Sequence, residues 1–280
     1  VYGGTLKSVD ASAARQVPGV RDVVTLDNAV AVTATNYWAC QQGLKALKIE
    51  WDLGENASIS SPELDAALQK ASSADGVVAH SSGDVAAALE AASSRFEAVY
   101  EQAFLSHSPL EPMTCVAHVR PDGCDLWVGT QVPVFAQQTA ASITGLKPEQ
   151  VVVHNQLIGG AFGRRLDYDF IAQAVAIARQ VSYPIKLIWS REEDMTHDMY
   201  RPHYVDRLTA ALDADGGHGP PGTGDLRAIR GRDGAGSQQR VGIAGSLSLC
   251  RGSGHLPAHS RHAAAMVDRQ SGELWMRAYG

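Results

Sequence analysis

The sequence predicts an α+β fold, and three observations lead there. Runs of alternating β-branched residues interleave with helix-like stretches, but without the strict strand-helix-strand order of a doubly wound sheet. Two hairpins are written almost in full, each with turn residues between alternating runs. A chain of 280 residues with 45% apolar content is also long enough to bury a real core.

Taken in order, "VRDVVTL", "DN" and "AVAVTAT" predict the first hairpin across an Asp-Asn turn. Asn36 then caps a helix in "YWACQQGLKAL", and "KIEWD" closes as a strand. After the polar loop "GENASISS", Ser61 and Pro62 open a helix that runs to about Ala71. A second short helix is expected over residues 84–92, and "RFEAVYEQAF" alternates as a strand. "MTCVAHVR", "PDG" and "CDLWVGT" form the second hairpin. A helix from Val134 to Ile143 stops at Gly145, because glycine tolerates the left-handed turn that ends a helix. "QVVVHNQLI" is then a strand, residues 166–180 a helix, "PIKLIWS" a strand, and "YVDRLTAALDADG" a strand running into a turn.

The net charge of -6 argues against nucleic acid as a partner, since phosphate binding normally shows a basic excess. Cys40, Cys115, Cys124 and Cys250 lack the two-residue spacing of a zinc knuckle or an iron-sulfur motif. Apolar runs fall well short of the roughly 20 residues a membrane span needs.

Composition breaks near residue 215. The first 215 residues hold all six lysines and carry a net charge of -10, whereas the last 65 carry +4 and 14 of the 27 glycines. Apolar periodicity collapses at the same point, so 216–280 is expected to be irregular: disordered, or out of frame with the rest. The expected divisions are therefore 1–53, 54–215 and 216–280.

One motif carries chemistry. "LIGGAFGRRLDYDF" places three glycines between a strand and a helix, where free main-chain N–H groups at a helix start favour phosphates or other anions. Arg164 and Arg165 would add two charges there. The loop lacks the Lys-Ser/Thr pair of a Walker motif, and its glycines at 159, 160 and 163 miss the dinucleotide spacing. Phe162 is the unusual member, a large ring in a loop otherwise built for close approach.

Four blocks in a consistent order carry a family likeness: "HSPLEPMTCVAHV", "LWVGTQVPVFAQQ", "IGGAFGRRLDYDF" and "IWSREEDMTHDMYRPHY". Together, residues 1–216 resemble the large, molybdopterin-binding subunit of the xanthine dehydrogenase and aldehyde oxidase superfamily. The nearest branch is that of isoquinoline 1-oxidoreductase beta subunits and membrane-associated aldehyde dehydrogenases. The resemblance implies that 1–53 ends a small hammerhead domain and that the molybdopterin-binding domain begins after it. It implies a molybdenum cofactor held by its pterin, commonly as the cytosine dinucleotide, with no side-chain ligand to the metal. It further implies hydroxylation of an N-heterocycle or aldehyde with water as the oxygen source. Electrons would leave through iron-sulfur clusters on a small partner subunit, with a cytochrome as a further acceptor and a periplasmic or membrane-facing location.

Residue by residue, Gln131 matches the glutamine that hydrogen-bonds an oxygen on the metal, which an amide does without adding charge. Gly160, Ala161, Phe162, Gly163 and Arg164 match the cofactor-facing loop, with Ala161 in place of a usual glycine. Phe162 would flank the substrate channel, and Arg201 stands where some members orient substrate. The glutamate base of the family has no counterpart in its usual context; Glu273 in "QSGELWM" lacks it. General-base help is worth about 10² to 10⁴ in rate, so the isolated chain is expected to be inactive. Two alternatives stay open: a non-catalytic anion-binding or assembly module, and the product of a disrupted gene.

His107, His118, His154, His197 and His203 lie on different elements and read as structural histidines rather than metal ligands. "SREEDM" reads as a solvated turn, and no nucleophile-elbow motif supports a hydrolase around Ser106 and Ser108.

Overall fold

The computed structural model describes residues 3–73, 84–212 and 214, together with the backbone of short strands at 77–78, 226–230, 239–243, 265–267 and 274–276. The chain divides into two compact units, one of residues 1–67 and 103–203, the other of 68–102 and 204–280. The boundary expected at residue 53 falls inside the first of these.

Unit one opens with β1 (Thr5–Asp10), a strand the sequence pattern does not announce. The hairpin of β2 (Val20–Leu26) and β3 (Ala29–Ala34) turns at Asp27 and Asn28, as predicted. Helix α1 (Tyr37–Ala46) starts where the Asn36 side chain accepts the Ala39 N–H at 2.9 Å. Strand β4 (Lys48–Asp52) then returns antiparallel to β1. Helix α2 (Ser61–Ser72) begins one residue after Ser60, whose N–H and hydroxyl both bond the Glu63 carboxylate.

Unit two contains β5 (Val77–Val78), α3 (Val85–Ala91) capped by Asp84, and β6 (Ser94–Gln102). Its other strands come from the end of the chain, given below.

The sheet that matters for function lies in unit one. Strands β7 (Thr114–Arg120) and β8 (Gly123–Val128) form the second predicted hairpin, turning at Pro121 and Asp122. Helix α4 (Pro133–Thr144) then crosses over to β9 (Val151–Asn155), which lies parallel to β8. Gly145 ends α4 at φ 77°, a left-handed turn that glycine alone adopts cheaply. Helix α5 (Asp169–Ala178) leads to β10 (Ile185–Ile188), giving the sheet order β10-β7-β8-β9.

Both helices cover one face of that sheet. Cys115, Ala117, Cys124, Leu126, Val128 and Val151 meet Ala136, Ala140, Phe170, Ile171, Ala174 and Val175 in one buried cluster. Alternation along the strands sends every second residue inward. The alanines of α4 and α5 let the helices lie close. Tyr183 ties the β2-β3 hairpin to this sheet, donating to Asp22 and sharing a hydrogen bond of 2.7 Å with Thr33.

Two expectations need correction. The helix expected over 166–180 does not include Leu166, which ends a 3-10 turn over 164–166 closed by Leu166 N–H to Gly163 O and Asp167 N–H to Arg164 O. Extended backbone at Asp167 then separates that turn from the helix at Asp169. "REEDMT" is likewise a helix, α6 (Arg191–Thr196), because the Ser190 hydroxyl caps it and Asp194 is buried against Arg191 at 2.8 Å.

Strand β11 (Tyr204–Leu212), expected as a strand, pairs antiparallel with β6 over its whole length. In the tail, β12 (Leu226–Arg230) pairs β13 (Gln239–Ile243), which runs parallel to β5, and β14 (Ala265–Val267) pairs β15 (Leu274–Met276). Ladder bonds are made by main chain, so short ladders need no side-chain alternation. The remaining tail residues, Glu273 among them, lie outside the described residues.

Candidate functional site

Three loops meet at one end of the four-stranded sheet: the segment before β7, the β8-to-α4 turn, and the glycine-rich run after β9. The third is shaped by backbone strain. Gly160, Phe162 and Gly163 have φ of 103°, 53° and 100°, so three of four successive residues are left-handed. That conformation costs a non-glycine residue about 1–2 kcal/mol, which Phe162 bears. Its ring is 66% exposed, so burial does not offset the strain.

Left-handed turns of this kind aim successive N–H groups to one side. Among the described residues the amides of Gly160, Ala161, Phe162 and Gly163 meet no acceptor, while Arg164 N–H bonds Ala161 O at 2.8 Å. Four adjacent donors are thus left without an acceptor among the described residues. The reason differs from the sequence expectation: the loop's own geometry supplies them, not the start of α5.

The two arginines are not presented to a ligand. Both are fully buried. Arg165 donates to the carbonyls of Gly160 (3.0 Å), Gly129 (3.1 Å) and Glu111 (3.1 Å), and pairs with the Glu111 carboxylate at 2.8 Å. Its own carbonyl accepts from Gln131 N–H at 3.1 Å and the Thr130 hydroxyl at 3.2 Å. One side chain and one carbonyl therefore clamp all three loops. Gln131, expected to work opposite the glycine-rich loop, is brought beside it by this bond, with its side chain exposed.

Arg164 makes a bidentate pair with Asp169, both bonds 2.8 Å, and its Nε lies 2.9 Å from Asp198 Oδ1 without hydrogen-bond geometry. Burial works against its charge, but the carboxylates of Asp169 and Asp198 outweigh it and raise its pKa. The expectation that Arg164 faces the cofactor is corrected accordingly, since charge and N–H are both committed within the protein.

Asp198 is the hub beneath the loop, and no local motif marks it. It is 1% exposed and accepts the Ser106 hydroxyl (2.8 Å), the His107 N–H, and His107 Nδ1 (3.1 Å). Burial pushes its carboxyl up, yet the bonds from His107 and Ser106 outweigh burial and keep it below the usual range. The opposite edge of the His107 ring faces Gly163, where a Cβ would lie 3.6 Å from Nε2.

Arg201 comes close to the loop by a different route. Its backbone pairs with Leu105 in both directions, and its Nη2 donates to the Phe162 carbonyl at 3.1 Å. The structure thus joins Arg201 to Phe162, the two residues expected to bind substrate. Asp167 stands on the same turn, and burial raises its carboxyl pKa to about 6.

The other described histidines are individually paired: His118 with Arg120, His154 with Asp125, His197 with Glu193, and His203 with Asp65. Among the described residues no group of three His, Cys, Asp or Glu side chains could hold a metal ion, and no helix is long and apolar enough to cross a membrane.

Residues 69–217 match the model of the molybdopterin cofactor-binding domain. The chain is 32% identical over 222 residues to the beta subunit of isoquinoline 1-oxidoreductase from Brevundimonas diminuta, a match covering 76% of this chain and 28% of that protein. It is 28% identical over 223 residues to a membrane-bound aldehyde dehydrogenase of Gluconacetobacter polyoxogenes, covering 76% and 29%. The solved aldehyde oxidoreductase of Desulfovibrio gigas shares the fold, with a TM-score of 0.60 at 17% identity over 76% of this chain and 28% of that one. The chain thus spans less than a third of the length of these relatives.

Proposed function

The chain belongs to the molybdopterin cofactor-binding family, whose members are molybdopterin-dependent oxidoreductases, and from that premise we propose that it forms one wall of a molybdenum hydroxylase site. The observation that carries this reading is the run of four main-chain donors at Gly160 to Gly163, held beside Gln131 by the Arg165 carbonyl. These groups fit the cofactor: amides without acceptors suit its anionic oxygens, and the neutral Gln131 carboxamide donates without adding charge. When bound, the cofactor supplies two-electron redox chemistry that protein side chains lack.

The chain's own residues bind and orient. The 160–163 amides hold oxygens in place, and Gln131 completes the donor set. Phe162 offers an exposed aromatic face to a flat substrate, such as an N-heterocycle or aromatic aldehyde. Arg201 fixes that ring by bonding the Phe162 carbonyl.

We place the general base outside this wall. Asp198, Asp169 and Glu111 are each committed to an arginine or histidine within the protein. The 280 residues alone are therefore expected to bind without turnover. The cytosine dinucleotide form of the cofactor and a small iron-sulfur partner subunit complete the proposal, by likeness to the relatives.

Coexpression with an iron-sulfur subunit, in cells that make the cofactor, tests it. Elemental analysis and mass spectrometry of the purified chain should find molybdenum and a pterin nucleotide. A folded complex free of both would overturn the reading.

A further inference from the structure

Three successive carbonyls ahead of β7 end on guanidinium groups. Arg191 Nη2 donates to Pro109 O at 2.7 Å and to Leu110 O at 2.8 Å, and Arg165 Nη2 takes the Glu111 carbonyl at 3.1 Å. Successive carbonyls of an extended chain point to opposite sides, so two of them reach one nitrogen only where the chain turns. The turn follows Ser108, a non-glycine residue at φ 41°. Such a conformation persists only where its surroundings hold it. Apolar packing does not, since the Leu110 side chain is 89% exposed.

Arg191 is itself fixed. Its Nη1 pairs at 2.8 Å with Asp194, a fully buried carboxylate three residues along α6. The Ser190 hydroxyl caps that helix, and just before it Trp189 N–H bonds Met113 O at 3.0 Å, two residues beyond Glu111. A guanidinium serves partners in two directions through separate nitrogens, whereas a lysine offers a single point of charge.

The segment held in this way lies directly on the glycine-rich loop. A Cβ on Gly160 would meet Leu110 N and Pro109 Cβ, each at 3.4 Å, and Glu111 N–H bonds Gly159 O at 3.0 Å. Arg191 therefore acts on the loop through residues 109–111.

We propose that Arg191 is a positioning residue of the loop site. By drawing the Pro109 and Leu110 carbonyls onto one nitrogen, it seats that segment against Gly160 and fixes the direction of the 160–163 amides. The inference deepens the cofactor reading and rests on it. Donors that wander in direction must be ordered when a ligand arrives, which weakens binding.

Arg191→Met, Arg191→Lys and a control, Arg179→Met, test this in the full chain labelled with ¹⁵N. Arg179 bonds the Ile143 carbonyl at the C-terminal ends of α4 and α5, so its loss reports general loosening. The 160–163 amides should show order parameters of about 0.85 in the parent and below about 0.6 in Arg191→Met. The Glu111 amide should exchange about tenfold faster in Arg191→Met, and about threefold faster in Arg191→Lys, which keeps the charge beside Asp194. Arg179→Met should change neither. Loop amides as ordered in Arg191→Met as in the parent, or loosened equally in Arg179→Met, would overturn the inference. Should Arg191→Met fail to fold, an unchanged Glu111 exchange rate in Arg191→Lys overturns it instead.

The complex coexpressed with an iron-sulfur subunit gives the second readout. Molybdenum per chain should fall about tenfold from the parent to Arg191→Met. A loosened loop with undiminished molybdenum would overturn the role at the site. A parent complex without molybdenum rejects the cofactor reading, while the order parameters still decide whether Arg191 sets the loop.

Discussion

Arg165 Nη2 lies 2.8 Å from Glu111 Oε2, and the same carboxylate oxygen accepts the Gly159 N–H at 2.8 Å. Glu111 N–H in turn bonds Gly159 O at 3.0 Å, so the segment before β7 and the glycine-rich loop are joined on both sides. This clamp holds the strained loop in shape.

Arg165→Met should therefore cost far more than a surface substitution. It leaves three carbonyls and a carboxylate without their donor, and breaking one side of a buried pair costs about 3–5 kcal/mol. Glu111 is 38% exposed and water can reach it, which puts the expectation near the lower end, about 3 kcal/mol in urea denaturation. A cost below about 1 kcal/mol would show that the three loops hold together without it.

Glycine substitutions should separate crowding from strain. A Cβ on Gly159 would sit 2.6 Å from Glu111 Cβ, a contact that cannot be kept, so Gly159→Ala must push the Glu111 segment away. Gly163→Ala meets only His107, at ordinary contact distance, but must hold φ 100°. Both should lower the melting temperature, and only Gly159→Ala should also increase hydrogen exchange at the Glu111 amide.

Phe162→Gly should leave stability nearly unchanged. Relief of about 1 kcal/mol of left-handed strain is offset by about 0.5–1 kcal/mol of added chain entropy. Phe162→Ala keeps the strain and should be no more stable than the parent. Calorimetry of the two variants checks the ranking. In the loaded complex either change should alter the ranking of a panel of aromatic substrates.

Asp167 sets a pH dependence. Burial lifts its carboxyl from 3.8 to about 6, against the pull of Arg164. A carboxyl with a folded pKa above its unfolded value binds protons more readily when folded. Its contribution is thus most favourable at low pH, and stability is lost as pH rises from about 4 to about 6. Asp167→Asn should stabilise the protein by about 1–2 kcal/mol at pH 8, after discounting for the carboxyl's partial exposure. At pH 4 the gain should vanish. A gain of equal size at both pH values would mean that charge is not the cause.

Arg201→Met should free the Phe162 carbonyl and cost about 1 kcal/mol, whereas Arg201→Lys should recover part of it. Chemical denaturation of the pair gives the ranking. Equal losses would show that the bond to Phe162 is not what Arg201 contributes.

Local chemistry was legible in the sequence. The turn at Asp27 and Asn28, the cap at Asn36 and the stop at Gly145 are decided within a few residues, by turn geometry, side-chain capping and the φ range of glycine. The family likeness was legible too, through the order of four blocks. The start of α5 was not, because the turn at 164–166 and the helix after it share one polar and apolar pattern. Strand β1 was missed for a similar reason, since "TLKSVD" carries only a weak alternation and forms by pairing with β4.

By itself the sequence determined which segments become strands and helices around the sheet, and that a glycine-rich loop with Phe162 at its centre belongs to a molybdopterin-binding family. Only the tertiary structure decided what the charged residues beside that loop do. Arg165 meets Glu111 across 54 positions of chain, and Arg164 and His107 meet on Asp198, a residue no local motif marks. An ion pair formed by distant segments leaves no periodicity behind, because its energy depends on separation in space and burial. Two arginines that look like an anion's counter-charge in the sequence thus become the loop's internal fastening.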